Sequence, residues 1–166
     1  MNYITLILGL FLIFTPLNSV ATGDRAELMQ VLSEYLDYNM KFLEALKGTS
    51  PAAYLDLRDD REWFVEEKFN PNIDLVVKQI CGSQDKEMLN LYLDIIATLK
   101  HNVNNTPFIK LGEIFICNPN LVHEQIIAFE NNSVLRKALI KGYEQARLKK
   151  HLPKNPVQQD LIESLR

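Results

Sequence analysis

The chain is poor in the residues from which most catalytic and metal sites are built. Its 166 residues include three histidines, two cysteines and six glycines. It contains no CxxC pair, no glycine-rich phosphate loop and no GxSxG nucleophile elbow. His123-Glu124 begins like the zinc-peptidase helix motif, but Ile127 stands where the second histidine would fall. The sequence therefore predicts no catalytic residue set, no bound metal and no cofactor.

Basic residues are also fewer than acidic ones, 18 against 21. The formal net charge of −3 at pH 7 excludes a generally basic nucleic-acid-binding protein. The basic C-terminal part carries Tyr143 as its one aromatic residue, and Tyr143 falls on the apolar stripe of its helix. Because a nucleic-acid site of this kind needs aromatic residues on which bases stack, we expect no nucleic-acid partner.

Long hydrophobic runs are confined to the N-terminus. Residues 3–14 are almost all apolar, and Ser19-Val20-Ala21 supplies the small residues of a signal-peptidase site. We therefore expect a signal peptide over residues 1–21, cleavage after Ala21, and a single α-helical domain over residues 22–166. An uncleaved membrane anchor is the alternative, although the run is shorter than the roughly 20 residues of a spanning helix. Either outcome places the mature chain outside the cytoplasm, secreted or periplasmic.

The expected export of the chain affects the interpretation of its two cysteines. In an oxidising compartment a lone pair of cysteines is typical of a disulfide rather than of a metal site. We therefore expect a bond between Cys81 and Cys117, which flank the central apolar helix. The alternative is two buried free thiols that act as small hydrophobic side chains.

Proline positions indicate the fold class. Five prolines each follow a residue that can cap a helix, and proline is favoured at the first helical position. These pairs are Ser50-Pro51, Asn70-Pro71, Thr106-Pro107, Asn118-Pro119 and Asn155-Pro156. Apolar residues at helical spacing follow each pair, and no alternating run predicts a strand. We expect an all-α, compact irregular bundle of about seven or eight helices.

Several helix boundaries follow from the same patterns. A first helix is predicted over about 24–47, and a capping box at Asp59 and Glu62 predicts a new helix after the one at Pro51. Ser83 is placed to cap a central helix whose apolar stripe runs from Met88 to Val103. The similar tetrapeptides at Asn70 and Asn118 raise a second possibility, two HEAT-like helical hairpins within the bundle.

Charge is unevenly distributed along the mature chain. Residues 24–70 hold eleven acidic and six basic side chains, whereas residues 135–166 hold eight basic and three acidic ones. Solvated helix faces explain both regions without any partner. The functional interpretation is an acidic surface that meets a basic protein. Its candidate binding residues are Tyr54, Asp56, Asp59, Asp60, Glu62, Trp63, Glu66 and Glu67.

Aromatic residues within the acidic stretch are the candidate anchors of such an interface. They are Tyr54, Trp63 and Phe64, because aromatic side chains dominate interface hot spots. Trp63 also fits the core pattern, which the sequence slightly favours. Arg58, Arg61 and Lys68 are spaced to neutralise the neighbouring acids.

Three functions remain open from the sequence. The first is an exported, non-catalytic inhibitor or immunity-type protein that binds an envelope or cell-wall enzyme. The second is a helical carrier with an apolar pocket for a lipid or small hydrophobic ligand. The third is a hydrolase that uses acid pairs such as Glu62 with Glu66, or Asp59 with Glu62.

Overall fold

The computed structural model describes residues 24–48, 51–99, 105–129 and 132–166. The predicted signal peptide and its cleavage site lie outside these residues. Every regular element within them is helical, which confirms the all-α fold class. The helices are α1 (Arg25–Ala45), α2 (Pro51–Phe64), a π-helical turn (Val65–Phe69), α3 (Asn70–Ser83), α4 (Lys86–Thr98), α5 (Thr106–Cys117), α6 (Pro119–Ala128), α7 (Ser133–Lys149) and α8 (Pro156–Ser164).

Helix α4 forms the centre of the core. Its buried residues are Met88, Leu89, Tyr92, Leu93, Ile95 and Ile96. The Tyr92 hydroxyl donates a hydrogen bond to the Pro107 carbonyl oxygen at 2.8 Å, which satisfies a buried polar group and links α4 to α5. Helix α1 packs on α4, and Leu28, Leu32 and Tyr35 are among its buried residues. Leu46, which follows the last residue of α1, is 49% exposed.

The cap of α4 differs from the prediction. Asp85, not Ser83, is the N-cap, and its carboxylate accepts a hydrogen bond from the Met88 amide at 3.0 Å. Ser83 instead belongs to α3, where its hydroxyl donates to the Gln79 carbonyl. Arg25 donates to the Asp85 carboxylate and thereby joins the starts of α1 and α4.

Helices α2 and α3 are continuous through the π-helical turn, so the predicted new helix at Asp59 is wrong. Asn70 likewise does not cap a separate helix. Phe64, Phe69 and Asn70 all keep right-handed helical dihedral angles. The Asn70 amide donates to the Val65 carbonyl, five residues back, and Pro71 has no amide hydrogen to donate. The wider π turn accommodates this proline inside a helix.

The π turn also explains two buried aromatic residues. Phe64 and Phe69 are five residues apart, a spacing that does not place two side chains on one face of an α-helix. In the π turn both reach the core, and both contact Tyr35, with ring centroids 6.2 and 4.2 Å away.

Cys81 and Cys117 lie at disulfide-bonding distance, as predicted, with their Cα atoms 5.7 Å apart. The pair connects the last turns of α3 and α5. A loop closed over 36 residues contributes about 3–4 kcal/mol to the free energy of unfolding in the chain-entropy model. Asn118 is next to this pair, and its side-chain amide donates to the carbonyl oxygens of Ile80 and Cys81 rather than capping α6.

Two glycines allow α5 and α7 to pack with their backbones in close contact. A Cβ atom added at Gly142 would lie 1.8 Å from the Phe108 carbonyl oxygen, and one at Gly112 would lie 2.3 Å from the Gly142 carbonyl oxygen. Helix α7 therefore packs mainly on α5 rather than on α6. This packing does not support the pair of HEAT-like hairpins, which requires α6 and α7 to pair.

We predict that Gly142→Ala lowers the free energy of unfolding by about 3 kcal/mol or more, because the added methyl group overlaps backbone atoms that cannot move independently. Urea unfolding followed by circular dichroism measures the loss. Gly82→Ala is the matched control, since nothing lies within 4 Å of its added Cβ and alanine is the better helix former. Equal stability of the two variants would contradict the packing described here.

We predict that Asp85→Ala lowers the free energy of unfolding at pH 7 by about 1–2 kcal/mol, the usual effect of losing an N-cap. Hydrogen bonds from Arg25, and then from the Met88 amide, hold the pKa of Asp85 below its usual range despite partial burial. A lowered folded-state pKa means that the stabilisation is present above about pH 4 and is lost as the pH falls through the folded pKa.

The difference between wild type and Asp85→Ala should therefore shrink at acidic pH. Asp85→Asn keeps a capping oxygen and should lose less stability. Urea titrations across this pH range test both points, and a difference that does not depend on pH would argue against the lowered pKa.

Candidate binding surface

The outward side of α2 and the π turn is an acidic face, which we call the α2 face. Its members recur at intervals of three or four residues, the spacing of one side of a helix. They are Leu55, Asp56, Asp59, Asp60, Glu62, Trp63, Glu66 and Glu67, all exposed. The structure thus brings together seven of the eight predicted binding residues.

Trp63 lies in the middle of the α2 face. Its side chain is 56% exposed, so the core position that the sequence slightly favoured is wrong. Leu55, which is 44% exposed, lies two turns before Trp63 on the same side. Leu55 is not among the predicted binding residues, although its spacing of four from Asp59 and eight from Trp63 is a usable signal.

The other two anchor candidates are placed differently. Phe64 is 2% exposed and packs against Tyr38, with ring centroids 5.0 Å apart, so it is a core residue and the anchor prediction is wrong. Tyr54 is half-buried on the inward side of α2, where its ring lies 5.1 Å from that of Phe42.

The charge of the α2 face is only partly compensated. Arg58 donates to the Asp59 carboxylate at 2.7 Å. Arg61 turns inward and its Nε donates to Asn39 Oδ1 at 2.6 Å, so the expectation that it neutralises the acids is wrong. Within the described residues no other carboxylate of this face forms an ion pair. The face therefore keeps a strong negative potential.

The two acid pairs of the hydrolase hypothesis are not assembled in a cleft. Glu62 lines a concave site, whereas Asp59 and Glu66 are exposed on the convex outer side of the helix. A two-carboxylate mechanism needs both groups to face one substrate, and these pairs do not provide that arrangement.

A small pocket of about 220 Å³ lies on the inward side of α2, where this helix meets α1 and α4. We call it the Arg61 pocket. Its lining residues are Asn39, Phe42, Leu43, Leu46, Tyr54, Arg58, Arg61, Glu62, Thr98 and Leu99. The Arg61 guanidinium lies over the Phe42 ring, 5.2 Å from its centroid, which fixes the position of the charge.

Buried polar groups surround this guanidinium. Asn39 is 2% exposed, and its Nδ2 has no hydrogen-bond acceptor in the part of the chain that the structure describes. Burial raises the pKa of the Tyr35 hydroxyl, and the nearby Arg61 charge opposes this shift. The sequence does not predict this pocket, because its polar residues come from separate helices.

An apolar groove lies between α1 and α4. Leu36, Met40, Leu43 and Ala97 line it, and burial raises the pKa of Asp94 at its side. The groove is open at the surface, whereas the buried apolar residues of the described helices form one packed cluster. An enclosed apolar volume would favour the carrier hypothesis, and this groove is not enclosed.

Several basic residues of the C-terminal region serve internal contacts. Lys150 lies 3.3 Å from the Glu113 carboxylate, which is 8% exposed and is also bound by Lys110. Lys110 in turn pairs with Asp74, so this network joins α3, α5 and α7. Part of the basic charge of residues 135–166 is therefore used in internal contacts, and Lys137, Lys149 and Lys154 are among the lysines that are exposed.

Comparison of the chain with protein-family models, with curated proteins and with solved structures finds no match. In the described residues, no group of three or more histidine, cysteine, aspartate or glutamate side chains is arranged to hold a metal ion. Within the same residues, none of the helices combines the length and the apolar character needed to cross a membrane. Any assignment of function must therefore come from the surfaces described above.

We predict that the fluorescence of Trp63, the one tryptophan of the chain, reports a solvated and negatively charged site. Its emission maximum should change little on unfolding. At low salt, caesium ions should quench it more effectively than iodide, because the carboxylates attract cations and repel anions, and added salt should reduce this difference. The control is the variant Asp56→Asn/Asp60→Asn/Glu67→Gln, in which the difference in quenching between caesium and iodide should also be smaller. A blue-shifted emission protected from both ions would contradict the exposed position.

Proposed function

We propose that this protein is an exported, non-catalytic helical protein that binds a basic protein partner through the α2 face. The partner that fits best is an envelope or cell-wall enzyme, which makes the protein an inhibitor or immunity-type factor. The observation that carries this proposal is the exposed side chain of Trp63 on an acidic helix face. Five carboxylates of the same face have no ion-pair partner in the described residues.

The apolar part of the α2 face supplies the affinity in this proposal. Tryptophan is among the residues most enriched at interface hot spots, and truncation of such a residue typically costs 2 kcal/mol or more of binding free energy. Leu55 extends the apolar area along the same side of the helix. The acidic residues around both side chains form a polar rim of the kind that interfaces have.

The negative charge supplies speed and selectivity. Carboxylates on one face attract a positively charged partner over roughly a Debye length, about 8–10 Å at physiological salt. They also disfavour acidic proteins, since like charges would face one another across the interface. A basic active-site cleft is the surface that an exposed acidic helix complements best.

A capture experiment with variants of the α2 face tests this proposal. Mature wild-type protein (residues 22–166), immobilised, captures proteins from an envelope extract of the source organism, and the retained protein is then purified. We expect a basic enzyme whose affinity falls by about 30-fold or more for Trp63→Ala, the equivalent of 2 kcal/mol. Leu148→Ala is the matched control, because it removes an exposed apolar side chain elsewhere on the surface.

The kinetics separate the two parts of the face. Asp56→Asn/Asp60→Asn/Glu67→Gln should slow association and flatten its dependence on salt, whereas Trp63→Ala should mainly speed dissociation. Activity assays of the captured enzyme with and without the protein then test inhibition. A partner that binds Trp63→Ala as tightly as wild type, or a co-purifying lipid in place of a protein, would overturn the proposal.

A further inference from the structure

The inward side of α2 carries a positive charge that no carboxylate neutralises. Arg61 is half-buried, and it forms no ion pair within the described residues although its helix is rich in acids. A partly desolvated arginine usually has an anionic partner. Arg61 Nε donates a hydrogen bond to Asn39, and the guanidinium lies over the Phe42 ring. These two contacts fix the guanidinium in position in the absence of a ligand.

The remaining walls restrict which anion fits. About half of the lining residues are apolar or aromatic, namely Phe42, Leu43, Leu46, Tyr54 and Leu99. Arg58 is engaged by Asp59, and Glu62 adds a negative charge that disfavours phosphates and dicarboxylates. The volume of about 220 Å³ is below the roughly 300–1,000 Å³ of sites for drug-sized ligands. A monocarboxylate attached to one apolar group meets all of these conditions.

We infer that the Arg61 pocket binds a terminal carboxylate next to an apolar side chain. The planar guanidinium suits a carboxylate because two parallel N–H donors match its two oxygens. Asn39 lines the pocket, and its Oδ1 accepts the hydrogen bond from Arg61 Nε, so two guanidinium nitrogens stay available for the carboxylate. The carboxylate belongs either to a small amino-acid derivative or to the last residue of a peptide chain.

This inference does not rest on the proposed function, because the pocket is centred on Arg61 and Asn39 on the inward side of α2, whereas the partner is proposed to bind Trp63 on the outward side; Glu62 borders both. Loss of carboxylate binding would leave the capture experiment unaffected, and loss of partner binding by Trp63→Ala would leave the pocket intact.

The first experiment compares two probes that differ only at the carboxylate. N-acetyl-L-leucine and N-acetyl-L-leucinamide are titrated into ¹⁵N-labelled protein and followed by NMR. We expect the acid to shift the Arg61 Nε–H and Asn39 side-chain signals and to bind at least about tenfold more tightly than the amide, as expected for a charge-assisted pair. Acetate, which lacks the apolar group, should bind more weakly than the acid.

Variants locate the site. Arg61→Gln should abolish the preference for the acid, whereas Lys68→Gln, which removes an exposed cation from the same helical segment, should not change it. Should Arg61→Gln fail to fold, the comparison of acid and amide on wild type still decides the question. A tripeptide acetyl-Ala-Ala-Leu with a free C-terminus separates the two sources: tighter binding than N-acetyl-L-leucine indicates a chain end, and weaker binding indicates a small molecule. Equal binding of acid and amide, or no shift at millimolar acid, would overturn the inference.

Discussion

The continuity of the helical segment from Pro51 to Ser83 depends on how the chain accommodates Pro71. Proline lacks an amide hydrogen, and its ring crowds the carbonyl oxygen four residues back, so a proline inside an α-helix normally bends or ends it. Here the hydrogen bond from Asn70 to Val65 widens the preceding turn. The extra residue brings both Phe64 and Phe69 to Tyr35. Burial of these rings anchors the segment, and its opposite side becomes the α2 face.

The fold class follows from the sequence because helix starts are local events. Capping residues followed by proline correctly marked the starts of α5, α6 and α8 to within a residue, and Asn155 caps α8 through bonds from the Val157 and Gln158 amides. The same signal was misleading at Asn70, where tertiary packing of two phenylalanines favours an uninterrupted helix. A cap is worth about 1 kcal/mol, whereas burying an aromatic ring is worth more, so packing decides that position.

The candidate surface was only partly predictable, for a related reason. Helical spacing places Asp56, Asp60 and Trp63 on one side of the helix. Whether that side faces solvent or the core depends on which aromatic residue is buried. Trp63 and Phe64 point in directions about 100° apart, and in this structure Phe64 faces inward, where it contacts Tyr35 as Phe69 does. The Arg61 pocket lay beyond sequence reasoning altogether. Asn39 and Arg61 are 22 residues apart, and nothing local predicts their hydrogen bond.

The acidic composition of the α2 face works against stability. Like charges at helical neighbour positions destabilise a helix by a few tenths of a kcal/mol for each pair, and the inward turn of Arg61 removes a cation that would relieve this repulsion. A solvated face with no partner would be more stable with alternating charges. An exposed tryptophan surrounded by repelling carboxylates is therefore an arrangement with a stability cost but no structural benefit to the isolated chain. Such costs are typical of binding sites, where a partner supplies the missing contacts.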